Sequence, residues 1–156
     1  MFQLLLPQRL DNNYTGHKIG LWLFALVVLI KAGIGIGSIF NGYQAASTAD
    51  GIPLSTYPPA AAQVVVSLFA LLGLLHLIIC LICLVVLVRY RAMIPFMFTL
   101  LILEFLSRKL ILVLMPITRS DAAPGTIVNL VLLAVMVIGL ALSLRSQPLR
   151  PLASRG

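Results

Sequence analysis

Residues 92–115 read AMIPFMFTLLILEFLSRKLILVLM, which is long enough to cross a lipid bilayer, because a helical span needs about 20 mostly apolar residues. Three ionisable residues, Glu104, Arg108 and Lys109, nevertheless lie well inside this stretch. Each charge near the centre of a membrane helix costs roughly 2.5–3.5 kcal/mol on insertion scales, and less where it is paired or reaches the headgroups. We therefore expect these residues to have partners elsewhere in the chain.

The composition is that of an integral membrane domain. The 156 residues are 61% hydrophobic and 10% charged, with a mean hydropathy of +1.11, whereas soluble domains carry about 25% charged residues. The net charge of +7 does not indicate nucleic-acid binding, because the basic residues flank apolar stretches instead of forming a patch. The sequence predicts a small membrane protein, of the kind found in the bacterial inner (plasma) membrane, with membrane lipids as partners.

Four apolar stretches predict an all-α fold, an integral membrane bundle of four transmembrane helices. The spans cover about residues 19–40, 64–88, 92–115 and 126–144. The link between the second and third spans is short enough to make them an antiparallel hairpin. The connection 41–63 is long for a helix–helix link, so we expect it to fold over one end of the bundle. An interfacial leader, 1–18, and a basic tail, 145–156, complete the chain.

The basic residues predict the orientation of the bundle. Arg119 lies on one side of the membrane, and seven Lys and Arg residues fall on the other. Cytoplasmic segments carry the excess of positive charge, so both termini are predicted to be cytoplasmic and the connection 41–63 extracytoplasmic. The seven residues on the cytoplasmic side are Arg9, Lys18, Arg89, Arg91, Arg145, Arg150 and Arg155.

Small residues predict where the helices touch. Gly33 and Gly37 form a small-xxx-small pair, a pattern that lets two helix backbones approach closely in lipid, and Gly35 lies between them. Gly73 belongs to a stripe on the second span that recurs at steps of three and four, which we expect to face protein. The members of this stripe are Phe69, Gly73, His76, Cys80, Cys83 and Leu87.

Three spans each place an ionisable residue at a similar depth. Lys31, His76 and Glu104 lie about 12 residues from the cytoplasmic ends of their spans, which is ~18 Å along a helix. A second layer is predicted one turn farther from the cytoplasm. It comprises Arg108, Lys109 and Asn129.

This polar layer has a structural and a functional interpretation. In the structural one, Glu104 pairs with Arg108 on the same helix and with Lys31 across helices, and His76 is neutral and hydrogen-bonded. Three cations, Lys31, Arg108 and Lys109, against one carboxylate nevertheless leave two positive charges unmatched. In the functional one, this surplus attracts an anion such as a phospholipid headgroup, a fatty acid carboxylate or another amphiphile, and all six residues of the two layers contribute to the site.

Two other functions compete with anion binding. The chain is also suited to be an accessory subunit of a larger membrane complex, or to form a homo-oligomer, through its glycine-rich helix surfaces. A small transporter or channel, with Glu104 and His76 as proton-linked groups, is the third possibility. An enzyme is less expected, because the sequence shows no catalytic set. We predict no metal and no cofactor, since Cys80 and Cys83 lie inside a span without enough further ligands and are assigned to packing.

Overall fold

The computed structural model describes residues 12, 14, 16–119 and 123–145, which form helices and their connections without a β-strand. Four long helices account for most of this part of the chain. They are α1 (Lys18–Phe40), α2 (Pro59–Arg89), α3 (Ile94–Leu114) and α4 (Pro124–Leu144). The predicted leader and basic tail lie mostly outside the described residues.

Three of the described helices, α1, α2 and α4, are long and apolar enough to cross a membrane. The protein therefore has the features of a membrane protein, in keeping with its composition. Helix α3 has a similar length, but it carries Glu104, Arg108 and Lys109. Helix α2, with 31 residues, begins at Pro59, earlier than the predicted span, and is ~46 Å long.

Helix α1 is the centre of the packing. It packs extensively against α2 and α4, whereas α3 packs chiefly on α4 and touches α1 and α2 little. The link from α2 to α3 is short, with a single 3₁₀ turn at Arg91–Met93. The predicted hairpin partners are thus neighbours in the chain, but their mutual contact is small.

The closest approach of α1 and α2 lies at two of the predicted packing glycines. A Cβ atom at Gly35 would lie 3.0 Å from the Gly73 carbonyl oxygen, and one at Gly73 would lie 2.6 Å from the Gly35 carbonyl oxygen. Gly73, Cys80 and Cys83 are buried on the same side of α2. These three members of the predicted stripe therefore face the rest of the chain.

Gly33 and Gly37 do not take part in this approach. A Cβ atom at either position would meet no atom of the described residues within 4 Å, so their predicted role in helix packing stays a prediction. Successive helical residues are rotated by about 100°, so Gly35 lies nearly opposite Gly33 and Gly37. Since Gly35 faces α2, the other two glycines face away from it.

The main core fills the end of the molecule where α1 begins, which we call the terminal end. Its centre is the edge-to-face pair Phe24 and Phe98, with ring centroids 5.1 Å apart, and Gly139 of α4 lies directly against the Phe98 ring. The other buried members of the core are Val27, Val28, Cys80, Cys83, Val86, Ile94, Met97, Leu101, Phe105, Leu132 and Met136.

The connection between α1 and α2 builds a second, smaller core at the opposite end, which we call the loop end. It contains a π-helical turn at Ala45–Ala49 and a 3₁₀ turn at Leu54–Thr56. Ala46, Ile52 and Leu54 are buried there against the first turns of α2. The connection therefore folds over α2, as expected from its length.

The segment before α1 is fixed to the last turn of α4. The His17 backbone N–H donates to the Leu142 carbonyl at 3.1 Å, and the Tyr14 hydroxyl donates to the His17 carbonyl at 3.2 Å. The His17 side chain caps α1 by accepting from the Ile19 N–H. Burial in this contact raises the pKa of Tyr14 from 10.0 to about 12.

Candidate functional site

Glu104 of α3 is the centre of a cluster of ionisable side chains from three helices. Lys31 of α1 donates from Nζ to Glu104 Oε2 at 2.9 Å. Lys31 is only 5% exposed, so its ammonium group depends on this carboxylate for compensation, because a buried charge without a partner is strongly unfavourable.

His76 of α2 faces the other oxygen of the same carboxylate. Its Nε2 lies 3.5 Å from Glu104 Oε1, and its Nδ1 lies 2.9 Å from the carbonyl oxygen of Leu72. A carbonyl oxygen only accepts hydrogen bonds, so Nδ1 carries the hydrogen and the ring is held with Nε2 towards Glu104. The role of Leu72 was not foreseen from the sequence, although its position one turn before His76 is a signal for such a bond.

Arg108 adds a second cation to the cluster. Its Nε lies 3.9 Å from Glu104 Oε1, one turn along α3, and its side chain is 38% exposed. This distance is too long for a direct hydrogen bond. The guanidinium group is therefore attracted to Glu104, and no acceptor among residues 16–119 and 123–145 takes a hydrogen bond from it.

Lys109 and Asn129 are placed differently from the other predicted site residues. Both are half-buried, but within the described residues neither forms an ion pair or hydrogen bond with Glu104. The structure thus brings together Lys31, His76, Glu104 and Arg108. A binding role for any of the six residues stays a prediction.

The cluster lies at the level where the packing of the four helices ends. Phe105 is the last buried residue of α3, and Leu132 is the first buried side chain of α4. Beyond Phe105, α3 has only half-buried and exposed residues. The cluster therefore lies at the boundary between the buried first half of α3 and its more exposed second half.

The two cysteines lie on the core side of the cluster. Cys80 donates from Sγ to the Val28 carbonyl oxygen at 3.7 Å, and both thiols are buried between α1 and α2. Within the described residues, no three His, Cys, Asp or Glu side chains are grouped so as to hold a metal ion. The contacts of Cys80 and Cys83 are those of helix packing.

The cluster places one carboxylate, two cations and an imidazole within an apolar helical structure. Carboxylates and imidazoles are groups that exchange protons, and guanidinium groups are common anion ligands in proteins. No protein-family model, curated protein or solved structure matches the chain.

Proposed function

We propose that the protein crosses the membrane four times, with α3 as a span in addition to α1, α2 and α4. The path of the chain supports this topology. Gly125 lies against the Ala49 carbonyl oxygen at the loop end, and Leu142 accepts the hydrogen bond from His17 at the terminal end. Because α2 ends at the terminal end and α4 begins at the loop end, α3 carries the chain between them. Its 21 residues span ~31 Å, close to the thickness of a hydrocarbon core.

The exposed aromatic residues support the same placement. Trp22, near the start of α1, is 74% exposed, and Tyr43, just beyond its end, is also exposed. They lie roughly 30 Å apart along the helix direction, which matches the separation of the two interfacial aromatic belts. With the excess of positive charge inside, the terminal end is cytoplasmic, and we assign the protein to the bacterial inner membrane.

The function that the cluster supports best is binding of an anionic lipid or amphiphile. The observation that carries this proposal is the incomplete compensation of Arg108, which shares Glu104 with the closer Lys31 and is partly exposed. An anionic headgroup entering between α3 and the α1–α2 pair would find the guanidinium donors of Arg108 free. Arginine binds phosphate or carboxylate with two parallel hydrogen bonds, and Lys109 on the next position adds charge.

Native mass spectrometry of the purified protein tests this proposal. The protein is extracted in mild detergent and equilibrated with equal amounts of a phosphatidylglycerol and a phosphatidylcholine. We expect preferential retention of the phosphatidylglycerol. Arg108→Gln should weaken this retention roughly tenfold or more, because a hydrogen bond to a charged group contributes about 1.5–3 kcal/mol.

Arg119→Gln is the matched control, because it removes the same charge outside the long helices. It should leave the retained lipid unchanged. Equal retention of the two lipids by the unmodified protein, or equal losses in the Arg108 and Arg119 variants, would refute the proposal.

A second candidate function is that of a subunit in a homo-oligomer or a larger membrane complex. The observation that favours it is the side of α1 with Gly33 and Gly37, where an added Cβ would meet no atom of the described residues within 4 Å. Such a surface lets another helix approach closely in lipid. If it is an interface, Gly37→Leu should convert an oligomer or complex to the free chain in native mass spectrometry, whereas Ile36→Leu should not. Transport through the cluster stays a prediction.

A further inference from the structure

The hydrogen bonds of His76 define which of its ring nitrogens carries hydrogen. Nδ1 donates to the Leu72 carbonyl oxygen at 2.9 Å, so a neutral ring has its hydrogen there and a lone pair on Nε2. Glu104 Oε1 lies 3.5 Å from this nitrogen. An ionised carboxylate is also only an acceptor. Two acceptors therefore face each other without a hydrogen between them.

One additional proton removes this conflict. It can reside on Nε2, which then donates to the carboxylate as part of an imidazolium, or on Oε1, which then donates to a neutral imidazole. In both cases the pair has no net charge and gains a hydrogen bond in place of a repulsion. Since the two groups share the proton, its binding is a property of the pair.

We propose that His76 and Glu104 together form a proton-binding site, and that an anion and this proton bind cooperatively. In the part of the chain that the structure describes, the ionisable groups around the pair are Lys31 from α1, Arg108 from α3 and Cys80, one turn along α2. With the proton bound, Lys31 and Arg108 give the cluster two positive charges; without it, the carboxylate reduces this to one. An anion is attracted more strongly to the first state, and a low dielectric magnifies the difference.

The shared proton can be tested without any anion. The protein is labelled with ¹⁵N-histidine and placed in nanodiscs of phosphatidylcholine at neutral pH. The chain has two histidines, and His17→Asn removes the second signal while keeping a side-chain acceptor for the cap of α1. We expect a protonated Nδ1 on His76, together with either a protonated Nε2 or a carboxylic-acid infrared band that Glu104→Gln removes. An unprotonated Nε2 beside an ionised Glu104 would overturn the proposal.

The coupling to anion binding, which rests on the proposed function, needs a probe that does not itself titrate. A short-chain alkyl sulfonate meets this requirement. Its affinity should fall with rising pH by up to about tenfold per pH unit where the pair loses its proton, because one proton is linked to binding. His76→Asn should flatten this pH profile, and His17→Asn should preserve it.

The outcomes separate the two proposals. Sulfonate binding with a flat pH profile in the unmodified protein would overturn the coupling and leave the proposed function standing. If no sulfonate binds at any pH, the proposed function and the coupling both fail, and the NMR experiment still decides whether the pair holds a proton.

Discussion

Replacing Gly73 by alanine is expected to push α1 and α2 apart. The new Cβ atom would lie 2.6 Å from the Gly35 carbonyl oxygen and 2.9 Å from the Cβ of Ser38. Ordinary contact begins at 3.4 Å, and a backbone oxygen cannot rotate away as a side chain can. The helices therefore have to separate by about 0.8 Å at this point, in a region that is otherwise closely packed.

The expected magnitude follows from a comparison with Gly33. Overpacking of a close contact costs about 1–3 kcal/mol, whereas replacing a helical glycine by alanine gains about 0.8–1.0 kcal/mol from helix propensity. At Gly33 the added Cβ meets nothing within 4 Å, so only the gain applies. Because this gain is common to both variants, Gly73→Ala should be less stable than Gly33→Ala by about 1–3 kcal/mol.

Reversible unfolding in mixed micelles, followed by circular dichroism as the fraction of dodecyl sulfate rises, measures this difference. Gly37→Ala is a second control, because its Cβ is also free of contacts. If Gly73→Ala is as stable as the two controls, the helices do not approach each other at Gly35 and Gly73, and the arrangement of Lys31 and His76 one turn away loses its basis.

Three further predictions use the same unfolding measurement. Lys31→Met should lower the free energy of unfolding by about 3–5 kcal/mol, because it breaks a buried ion pair. Adding Glu104→Gln should recover part of this loss. A loss in the double variant equal to the sum of the two single losses would contradict the pairing. Burial raises the pKa of Tyr14 from 10.0 to about 12, so the unfolded chain loses this proton at a lower pH than the folded one. The free energy of unfolding should therefore fall between pH 10 and about pH 12. Tyr14→Phe should reduce that fall, and an unchanged alkaline profile in this variant would contradict the burial of Tyr14. Gly139→Ala should displace the Phe98 ring and lower the free energy of unfolding. In a Phe98→Leu background, the same alanine should cause a smaller loss. Equal losses with Phe98 and with Leu at this position would refute the contact.

Hydropathy was sufficient to locate the long helices, because the cost of exposing backbone and charge in lipid restricts each span to a long apolar helix. It was not sufficient to choose the packing face of α1. Gly33, Gly35 and Gly37 alternate along the sequence and thus occupy both sides of the helix. Which side of α1 meets α2 depends on the position of Gly73 in α2, and the sequence of α1 alone does not specify it.

The same distinction explains the predictions for the site. A constant rise per residue gives the depth of each ionisable group, which is why Lys31, His76 and Glu104 were placed at one level and are found together. Depth does not give the direction in which a side chain points around its helix. Lys109 and Asn129 were assigned by depth alone, and within the described residues they form no bond to Glu104.

The ionic cluster also has consequences for the attachment of α3. Apolar burial contributes little to helix association within lipid, so close packing and polar contacts have to provide it. Helix α3 touches α1 and α2 little, and Glu104 supplies its ionic contacts with both, through Lys31 and His76. An anion that bound Lys31 and broke its ion pair with Glu104 would therefore weaken the attachment of α3 to this pair of helices. Under the proposed function, the ion pairs of the structural interpretation and the anion site of the functional one would be two states of the same side chains, and the position of α3 should differ between them.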